Sequence, residues 1–301
     1  MTNITKNYVA PTPPRRVLAI HDLSSFGRCA LSVVIPTLSA LGIQTVALPT
    51  ALMSTHTGGY SDIHIRDLSS DMVGMYSHWK KLGVRFDSVY SGFVLNAEQG
   101  GIIAEVIDAF KSEDTIVLVD PVLGDDGEYY STCTPDLREV MISLCSRAHL
   151  ITPNLTEACI LSDTPYPELL SSRSEAESLA RSLAEKLAPL CPSLVITGIH
   201  YAEDGKLFVM NLSRDESGNY SAHVNEQVGC SYPGTGELFA SVLLGLMLDS
   251  IPFFEASKYA AVFVKETIES SVNVIEEARH GTALEPALMR LSHDLYKKLA
   301  K

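Results

Sequence analysis

The chain has 301 residues, of which 46% are hydrophobic, and it carries a formal net charge of −13. A chain of this length can bury one large core, and α/β folds of this size often form a single domain. The acidic balance, without any cluster of Lys and Arg, excludes a typical nucleic-acid-binding surface, because phosphate backbones are bound by clustered cations.

Residues 1–15 are predicted to be a flexible N-terminal tail, and residues 16–301 to be one domain. The tail lacks the apolar centre of a secretion signal, and no apolar run reaches the roughly 18 residues of a membrane span. The six cysteines are far apart, with no Cys-x-x-Cys pair. This spacing is typical of reduced thiols rather than of a zinc site. We therefore expect a cytoplasmic protein with neither a membrane nor a nucleic acid as partner.

Short apolar runs alternate with segments of helical period, which is the pattern of a mostly parallel sheet with helices on both faces. The predicted strands are residues 16–21, 45–48, 88–93, 115–119, 150–152 and 194–197. The predicted helices between them are residues 30–41, 71–82, 98–110, 135–144 and 175–187. Further along, residues 206–212 and 220–226 flank a turn-rich segment and predict an antiparallel hairpin. Helices at 236–248, 254–271 and 285–299 follow, and the first is apolar almost all round, which places it in the core.

Polar residues are concentrated just after the predicted strands. Open α/β sheets bind ligands at the carboxyl ends of their strands, so these segments are the candidate site. They are residues 21–27, 54–59, 120–127, 152–157 and 197–198.

The run Pro233-Gly234-Thr235-Gly236-Glu237 opens the most apolar predicted helix. Glycines allow a ligand to approach the backbone, and a helix N-terminus presents unpaired N–H groups to an anion. A carboxylate beside such an anion hole could accept a proton from an attacking hydroxyl. The alternative is an ordinary helix start, with Gly for the turn and Glu favouring the helix dipole.

Oxygen ligands of the kind that Mg²⁺ prefers follow two of the strands. Asp120 and Asp125 come after one strand, and Asn154 and Glu157 come after the next. The alternative is that these residues form turns and a helix cap. All of them are expected at the same edge of the sheet as the glycine-rich helix start.

Two common nucleotide-binding motifs are missing. The chain has no Gly-x-x-x-x-Gly-Lys-Ser/Thr phosphate loop and no Gly-x-Gly-x-x-Gly after its first strand. Neither P-loop chemistry nor the usual dinucleotide fold is therefore indicated.

Taken in order and spacing, these segments resemble the pyridoxal/pyridoxamine kinase branch of the ribokinase-like superfamily. The resemblance is carried by residues 20–27, 54–57, 91–93 with 120–125, and 152–157 with 234–239. It implies a three-layer α/β ribokinase-like fold with a mostly parallel central sheet, and a homodimer. It also implies ATP with Mg²⁺, often a monovalent cation such as K⁺, and phosphorylation of the 5′-hydroxymethyl group of a vitamin B6 vitamer (pyridoxal, pyridoxamine or pyridoxine) in B6 salvage.

The resemblance also implies roles for individual residues. The substrate ring would be surrounded by Asp22, Phe26, Thr57 and Phe93. Mg-ATP would be held by Asp120, Asp125, Asn154 and Glu157, with the three carboxylates at the metal. The phosphates would contact Thr197 and Gly198, and the anion hole would be formed by Gly234, Thr235 and Gly236. Glu237 would be the catalytic base.

Glu237 is also where the sequence departs from the pyridoxal kinase pattern, which has Gly-Thr-Gly-Asp at this point. A base misplaced by about 1 Å can cost roughly 10²-fold in rate. We expect retained activity. Two alternatives stay open. One is a hydroxymethylpyrimidine kinase of thiamine metabolism, since the opening loop of those relatives resembles Asp22-Leu23-Ser24, although they usually carry Cys at position 237. The other is a catalytically impaired vitamer-binding homologue. His56 is expected either to orient the Thr57 loop or to contact substrate.

Overall fold

The computed structural model describes residues 13–134 and 136–299, with side chains up to residue 292. Most of the predicted tail and the first residue of the predicted helix 135–144 lie outside the described residues. The strands are β1 (Arg16–Phe26), β2 (Gln44–Thr55), β3 (Ile65–Asp67), β4 (Ser88–Ser91), β5 (Ile116–Val119), β6 (Gly124–Asp125), β7 (Glu128–Tyr129), β8 (Leu150–Ile151), β9 (Leu194–Glu203), β10 (Lys206–Arg214) and β11 (Tyr220–Glu226).

The helices follow the strands in alternation over most of the chain. They are α1 (Leu31–Ala40), α2 (Ser69–Leu82), α3 (Ala97–Phe110), α4 (Asp136–Cys145), α5 (Leu155–Leu161), α6 (Arg173–Leu187), α7 (Thr235–Leu248), α8 (Phe253–Ser271) and α9 (Leu284–Leu299). A 3₁₀ turn at Ala278–His280 precedes α9. In the described part of the chain, no helix is both long enough and apolar enough to cross a bilayer.

Nine strands form one sheet in the order β11-β10-β9-β8-β5-β4-β1-β2-β3. The six central strands from β9 to β2 run parallel, and β3, β10 and β11 are antiparallel to their neighbours. The predicted three-layer, mostly parallel architecture is confirmed, and so is the hairpin of β10 and β11. Strands β6 and β7 form a separate small hairpin.

Alternation along the central strands divides the core between the two faces of the sheet, because successive side chains of a strand point in opposite directions. In β1, Leu18 and Ile20 join the cluster that packs against α2 to α6. Val17 and Ala19 join the cluster beneath α1, α7, α8 and α9. Helix α7 is buried along almost its whole length, as its apolar sequence predicts.

Several elements differ from the sequence-based expectation. Strand β1 continues past His21 to Phe26 after a register shift, and β2 continues to Thr55. Residues 22–26 and 54–55 therefore lie in strands, not in loops after them. These extensions are stabilised because β2 gains a second partner, β3, which pairs with residues 51–53. Strand β9 likewise continues beyond Thr197 to Glu203 and pairs with β10.

A pair of adjacent glycines in α3 offers a matched test of the packing between α3 and α4. A Cβ on Gly100 would overlap Cγ1 of Val140, whereas a Cβ on Gly101 meets nothing within 4 Å. We expect Gly100→Ala to destabilise the fold by about 1–3 kcal/mol through overpacking. Gly101→Ala should stabilise it by about 0.5–1 kcal/mol through helix propensity. Urea unfolding of both variants is the measurement, and equal effects would contradict this packing.

Candidate active site

The N-terminus of α7 lies at the carboxyl edge of the sheet with its N–H groups uncapped by any described side chain. Gly234 precedes the helix with φ +84°, and a Cβ at this position would overlap the carbonyl oxygen of Arg28. Glycine is therefore required, both for the left-handed conformation and for the close approach to the loop after β1. The first N–H groups of a helix have no intrahelical acceptor, so Thr235 and Gly236 can present theirs to an anion.

Glu237, in the first turn of α7, is tied to the loop after β1. Its Oε1 accepts hydrogen bonds from the backbone N–H of Ala30 at 3.1 Å and from the Cys29 thiol at 3.3 Å. The described residues provide no donor to Oε2. One oxygen of this half-buried carboxylate is thus held by the protein, and the other is available to a ligand.

Asp120 follows β5 and is buried beside the start of α7. The hydroxyl of Thr152 donates to its Oδ1 at 3.0 Å, and its Oδ2 lies 3.9 Å from the position that a Cβ on Gly236 would take. Burial and the charge of Glu237 raise the pKa of Asp120 to about 7, although the Thr152 hydrogen bond acts in the opposite direction. The structure therefore places a second carboxylate next to the predicted anion hole.

Asp22 is a third buried acid near this point, with only 3% of its surface exposed. The hydroxyl of Ser24 donates to its carboxylate at 2.8 Å. Burial raises the pKa of Asp22 to about 7, and the charge of Glu237 adds to the rise. Asp22 lies in the extension of β1, and the turn that follows this strand contacts Glu237.

Asn154 and Glu157 form a capping box at the start of α5. The backbone N–H of Glu157 donates to Asn154 Oδ1, and that of Asn154 donates to Glu157 Oε2, both at 2.8 Å. The N–H of Leu123 donates to Glu157 Oε1 at 3.2 Å. The helix-cap interpretation of this pair is confirmed. Both oxygens of Glu157 have protein partners, so its direct contact with a metal stays a prediction.

Burial keeps the pKa of Glu157 well above its usual range, and the charge of Asp120 acts in the same direction. Asp125 lies exposed in the β6–β7 hairpin, where the N–H of Asp126 donates to its Oδ1 at 3.0 Å. The amide of Asn154 donates to the carbonyl of Gly124 at 2.8 Å and so fixes this hairpin over the edge of the sheet.

Thr197 and Gly198 lie within β9 at the same edge. Thr197 forms an isolated parallel bridge with Asn154, and its N–H donates to the carbonyl of Pro153 at 2.9 Å. Gly198 has φ +67°, and the space that a Cβ would occupy is open. The two residues that the resemblance assigns to phosphate are thus next to those assigned to Mg-ATP.

The residues expected around a substrate ring have different surroundings. Phe26 is 54% exposed and packs edge-on against the rings of Tyr60 and His280. Phe93 is buried in a small apolar cluster with Ala51 and Met53. Thr57 is half-buried in the loop after β2. Ring contact by these residues stays a prediction.

His56 positions that loop. Its Nδ1 accepts a hydrogen bond from the N–H of Gly58 at 3.1 Å, so the proton is on Nε2, which donates to the carbonyl of Arg279 at 2.7 Å. This arrangement agrees with the expectation that His56 orients the Thr57 loop.

The three expected metal carboxylates do not form a cage. Within the described residues, no three His, Cys, Asp or Glu side chains are close enough to hold a metal by themselves. Mg²⁺ at nucleotide sites is usually held by one or two carboxylates together with phosphate oxygens and water. A buried Asp120 with one oxygen free of protein donors fits that arrangement.

Sequence reasoning missed the contacts that hold the candidate site in place. Cys29 and Ala30 bind Glu237 across 208 and 207 positions of the chain, and Thr152, which lies in a predicted site segment just after β8, binds Asp120. His280, beside Phe26, comes from the 3₁₀ turn near the C-terminus. No local pattern in the sequence marks such long-range contacts.

Comparisons with known proteins agree on one family. The sequence profile described as phosphomethylpyrimidine kinase matches residues 34–282. A Bacteroides thetaiotaomicron protein, provisionally named a phosphomethylpyrimidine kinase and crystallised with pyridoxal, is 32% identical, with a TM-score of 0.84 over 92% of this chain and 96% of its own. Pyridoxal kinase from Lactobacillus plantarum is 27% identical, with a TM-score of 0.80 over 92% and 96%. Hydroxymethylpyrimidine/phosphomethylpyrimidine kinase from Bacillus subtilis is 25% identical over 86% and 91%.

The buried charge of Asp22 makes a testable contribution to stability. Its pKa is raised from 3.8 to about 7 in the folded state, so stability is lost as the pH rises from about 4 to about 7. A rise of this size corresponds to at most about 4 kcal/mol. Asp22→Asn should therefore stabilise the ligand-free protein by about 2 kcal/mol at pH 8, after the loss of hydrogen bonding is allowed for, and by little at pH 4.

Urea unfolding at the two pH values measures this effect. Asp114→Asn, at an exposed position, is the control and should change stability by less than about 0.5 kcal/mol at either pH. A stabilisation by Asp22→Asn that is the same at pH 4 and pH 8 would show that the buried charge is not its cause.

Proposed function

Because the chain belongs to the phosphomethylpyrimidine kinase family, we propose that it transfers the γ-phosphoryl group of ATP to the 5′-hydroxymethyl group of a vitamin B6 vitamer, in B6 salvage. The similarity to a pyridoxal kinase and to a relative crystallised with pyridoxal supports the vitamer as acceptor. A carboxylate at position 237, rather than the cysteine usual in hydroxymethylpyrimidine kinases, supports the same choice.

One observation carries the proposal. The carboxyl edge of the sheet brings together the uncapped start of α7, the free Oε2 of Glu237 and the buried Asp120. Asp120 and Glu237 are 117 positions apart in the sequence. This arrangement provides N–H donors for a phosphate, a proton acceptor and a ligand for a cation within one site. An ordinary helix start does not require either acid.

Each group has a chemical task in this proposal. Glu237 Oε2 accepts the proton of the attacking hydroxyl, and general-base help of this kind contributes about 10² to 10⁴ in rate. The N–H groups of Thr235 and Gly236 stabilise negative charge on the transferring phosphoryl group, as preorganised donors do in a site protected from water. Gly234 allows the helix to start close enough to the loop after β1 for both tasks.

Magnesium would be held by Asp120 together with the phosphates. It would neutralise negative charge of the triphosphate that the side chains of the site leave uncompensated. The charge of Glu237 adds to the raised pKa values of Asp22 and Asp120, and the net charge of the chain is −13. A triphosphate is therefore repelled unless cations accompany it. The carboxylates of Asp125 and Glu157, the amide of Asn154, and Thr197 with Gly198 are proposed to assist at the nucleotide.

Four further features stay predictions: a contribution of K⁺, a homodimer, a cytoplasmic location, and a single domain. The described cysteines are all free, in keeping with a reducing compartment. Light scattering during gel filtration would measure the oligomeric state directly.

The acceptor is tested by measuring ADP release with pyridoxal, pyridoxamine, pyridoxine and hydroxymethylpyrimidine, each with and without Mg²⁺. We expect turnover with at least one B6 vitamer, and its loss when Mg²⁺ is chelated with EDTA. Turnover confined to hydroxymethylpyrimidine would instead favour the second candidate function, which the family description and the Bacillus subtilis relative support. Vitamer binding without any turnover would indicate an impaired homologue.

The base is tested by Glu237→Gln, which keeps the shape of the side chain and removes its charge. We expect kcat to fall by about 10²- to 10⁴-fold while KM for the vitamer changes little, because the proton acceptor acts in the transition state. Glu266→Gln, on the exposed face of α8, is the matched control and should leave both constants unchanged. If Glu237→Gln keeps a third or more of wild-type kcat, Glu237 is not the base.

A further inference from the structure

The position of the Glu237 carboxylate is set by a turn at the end of the site segment 21–27, through two residues, Cys29 and Ala30, that the site segments do not include. Residues 27–30 connect β1 to α1, and two donors in this turn converge on one oxygen of Glu237. The Ala30 N–H approaches Oε1 at 3.1 Å and the Cys29 thiol approaches it at 3.3 Å. Two donors on the same oxygen leave the second oxygen of the carboxylate without a protein partner among the described residues.

The turn is built to hold this geometry. Ala30 has φ +52° and ψ −132°, a conformation that is strained for any residue with a Cβ and that persists only where surrounding contacts enforce it. Ser32 fastens the turn, because its hydroxyl accepts from the N–H of Cys29 at 3.1 Å and donates to the carbonyl of Cys29 at 2.7 Å. Ala30 is itself buried. The contacts that enforce this conformation keep the Ala30 N–H directed at Glu237.

A glutamate needs such an anchor more than an aspartate would. Its side chain has one more rotatable bond, so its carboxylate can occupy more positions, and an error of about 1 Å at a catalytic group can cost roughly 10²-fold in rate. We propose that the Cys29–Ala30 turn positions Glu237 for proton transfer, with Cys29 as a positioning residue. This inference rests on the proposed function.

Cys29 is suited to remain a donor in this environment. Burial of the thiol, and then the charges of Glu237 and Asp22, hold the pKa of Cys29 well above its usual range. The thiol thus keeps its proton at neutral pH. A protonated thiol can donate to Glu237 throughout the working range of the enzyme.

The first test compares Cys29→Ala with Cys29→Ser, using pyridoxal, pyridoxamine, pyridoxine and hydroxymethylpyrimidine as acceptors. Because the Ala30 N–H remains, we expect Cys29→Ala to lower kcat by about tenfold and to change KM by less than about twofold. Cys29→Ser restores a donor and should return kcat to within about threefold of wild type. An unchanged kcat in Cys29→Ala, or an equal loss in Cys29→Ser, overturns the inference.

A double-mutant cycle with Glu237→Asp separates positioning from a general effect on folding. The shorter aspartate does not reach the turn, so Cys29→Ala should have little further effect on kcat in that background. If Cys29→Ala lowers kcat by the same factor in both backgrounds, its effect does not pass through Glu237 and the inference is wrong. The thermal unfolding midpoint of each variant is measured to check that every variant is folded at the temperature of the kinetic assay.

A second measurement does not depend on turnover. Alkylation of Cys29 by iodoacetamide, followed by mass spectrometry of its peptide, should become severalfold faster in Glu237→Gln, because a neighbouring negative charge that disfavours the thiolate is removed. An unchanged rate overturns the contact whether or not the protein is a kinase. Absence of turnover in the wild-type protein instead overturns the proposed function and the catalytic part of this inference, while the alkylation rate still reports the contact.

Discussion

The junction between the start of α7 and the turn after β1 organises the rest of the site. Gly234 lies so close to the carbonyl of Arg28 that no side chain fits there, and Glu237 accepts from the N–H of Ala30 on the same turn. The turn after β1 and the start of α7, about 200 residues apart in the sequence, are thereby held in a fixed position relative to each other. The N–H groups of the helix and its first carboxylate take their positions from this junction, and strands β1 and β5 bring Asp22 and Asp120 to the same edge of the sheet.

Buried carboxylates lie close to this junction, and their negative charge does not stabilise the fold. Asp22 and Asp120 are buried, and burial raises the pKa of each to about 7. Thr152 and Ser24 donate to these carboxylates, but hydrogen bonds from single hydroxyls offset only part of the desolvation of a charged group. Acids maintained at such a cost are typical of functional sites. A cation bound with the nucleotide would reduce the repulsion between these carboxylates. The acids that destabilise the ligand-free protein would therefore stabilise its complex with nucleotide and cation.

The surroundings of Phe26, which is predicted to contact the substrate ring, depend on strand extension and on the C-terminal region. Strands β1 and β2 continue beyond the main body of the sheet because β3 pairs with β2, and this extension carries Asp22 and Phe26. The 3₁₀ turn before α9 then closes against it: His56 donates to the carbonyl of Arg279, and His280 packs edge-on against Phe26. The aromatic cluster around Phe26 is therefore assembled from the first and the last thirds of the chain.

Local patterns in the sequence determined the strand and helix alternation, the buried character of α7, and the edge of the sheet at which the polar residues meet. These follow from the period of apolar residues and from the position of glycine and acids after strands, which are properties of short segments. The ends of β1, β2 and β9 were predicted too early, because the pairing that extends these three strands depends on distant partners. Only the tertiary structure placed Cys29 and Ala30 against Glu237, and Thr152 against Asp120, since such hydrogen bonds join residues with no shared local pattern.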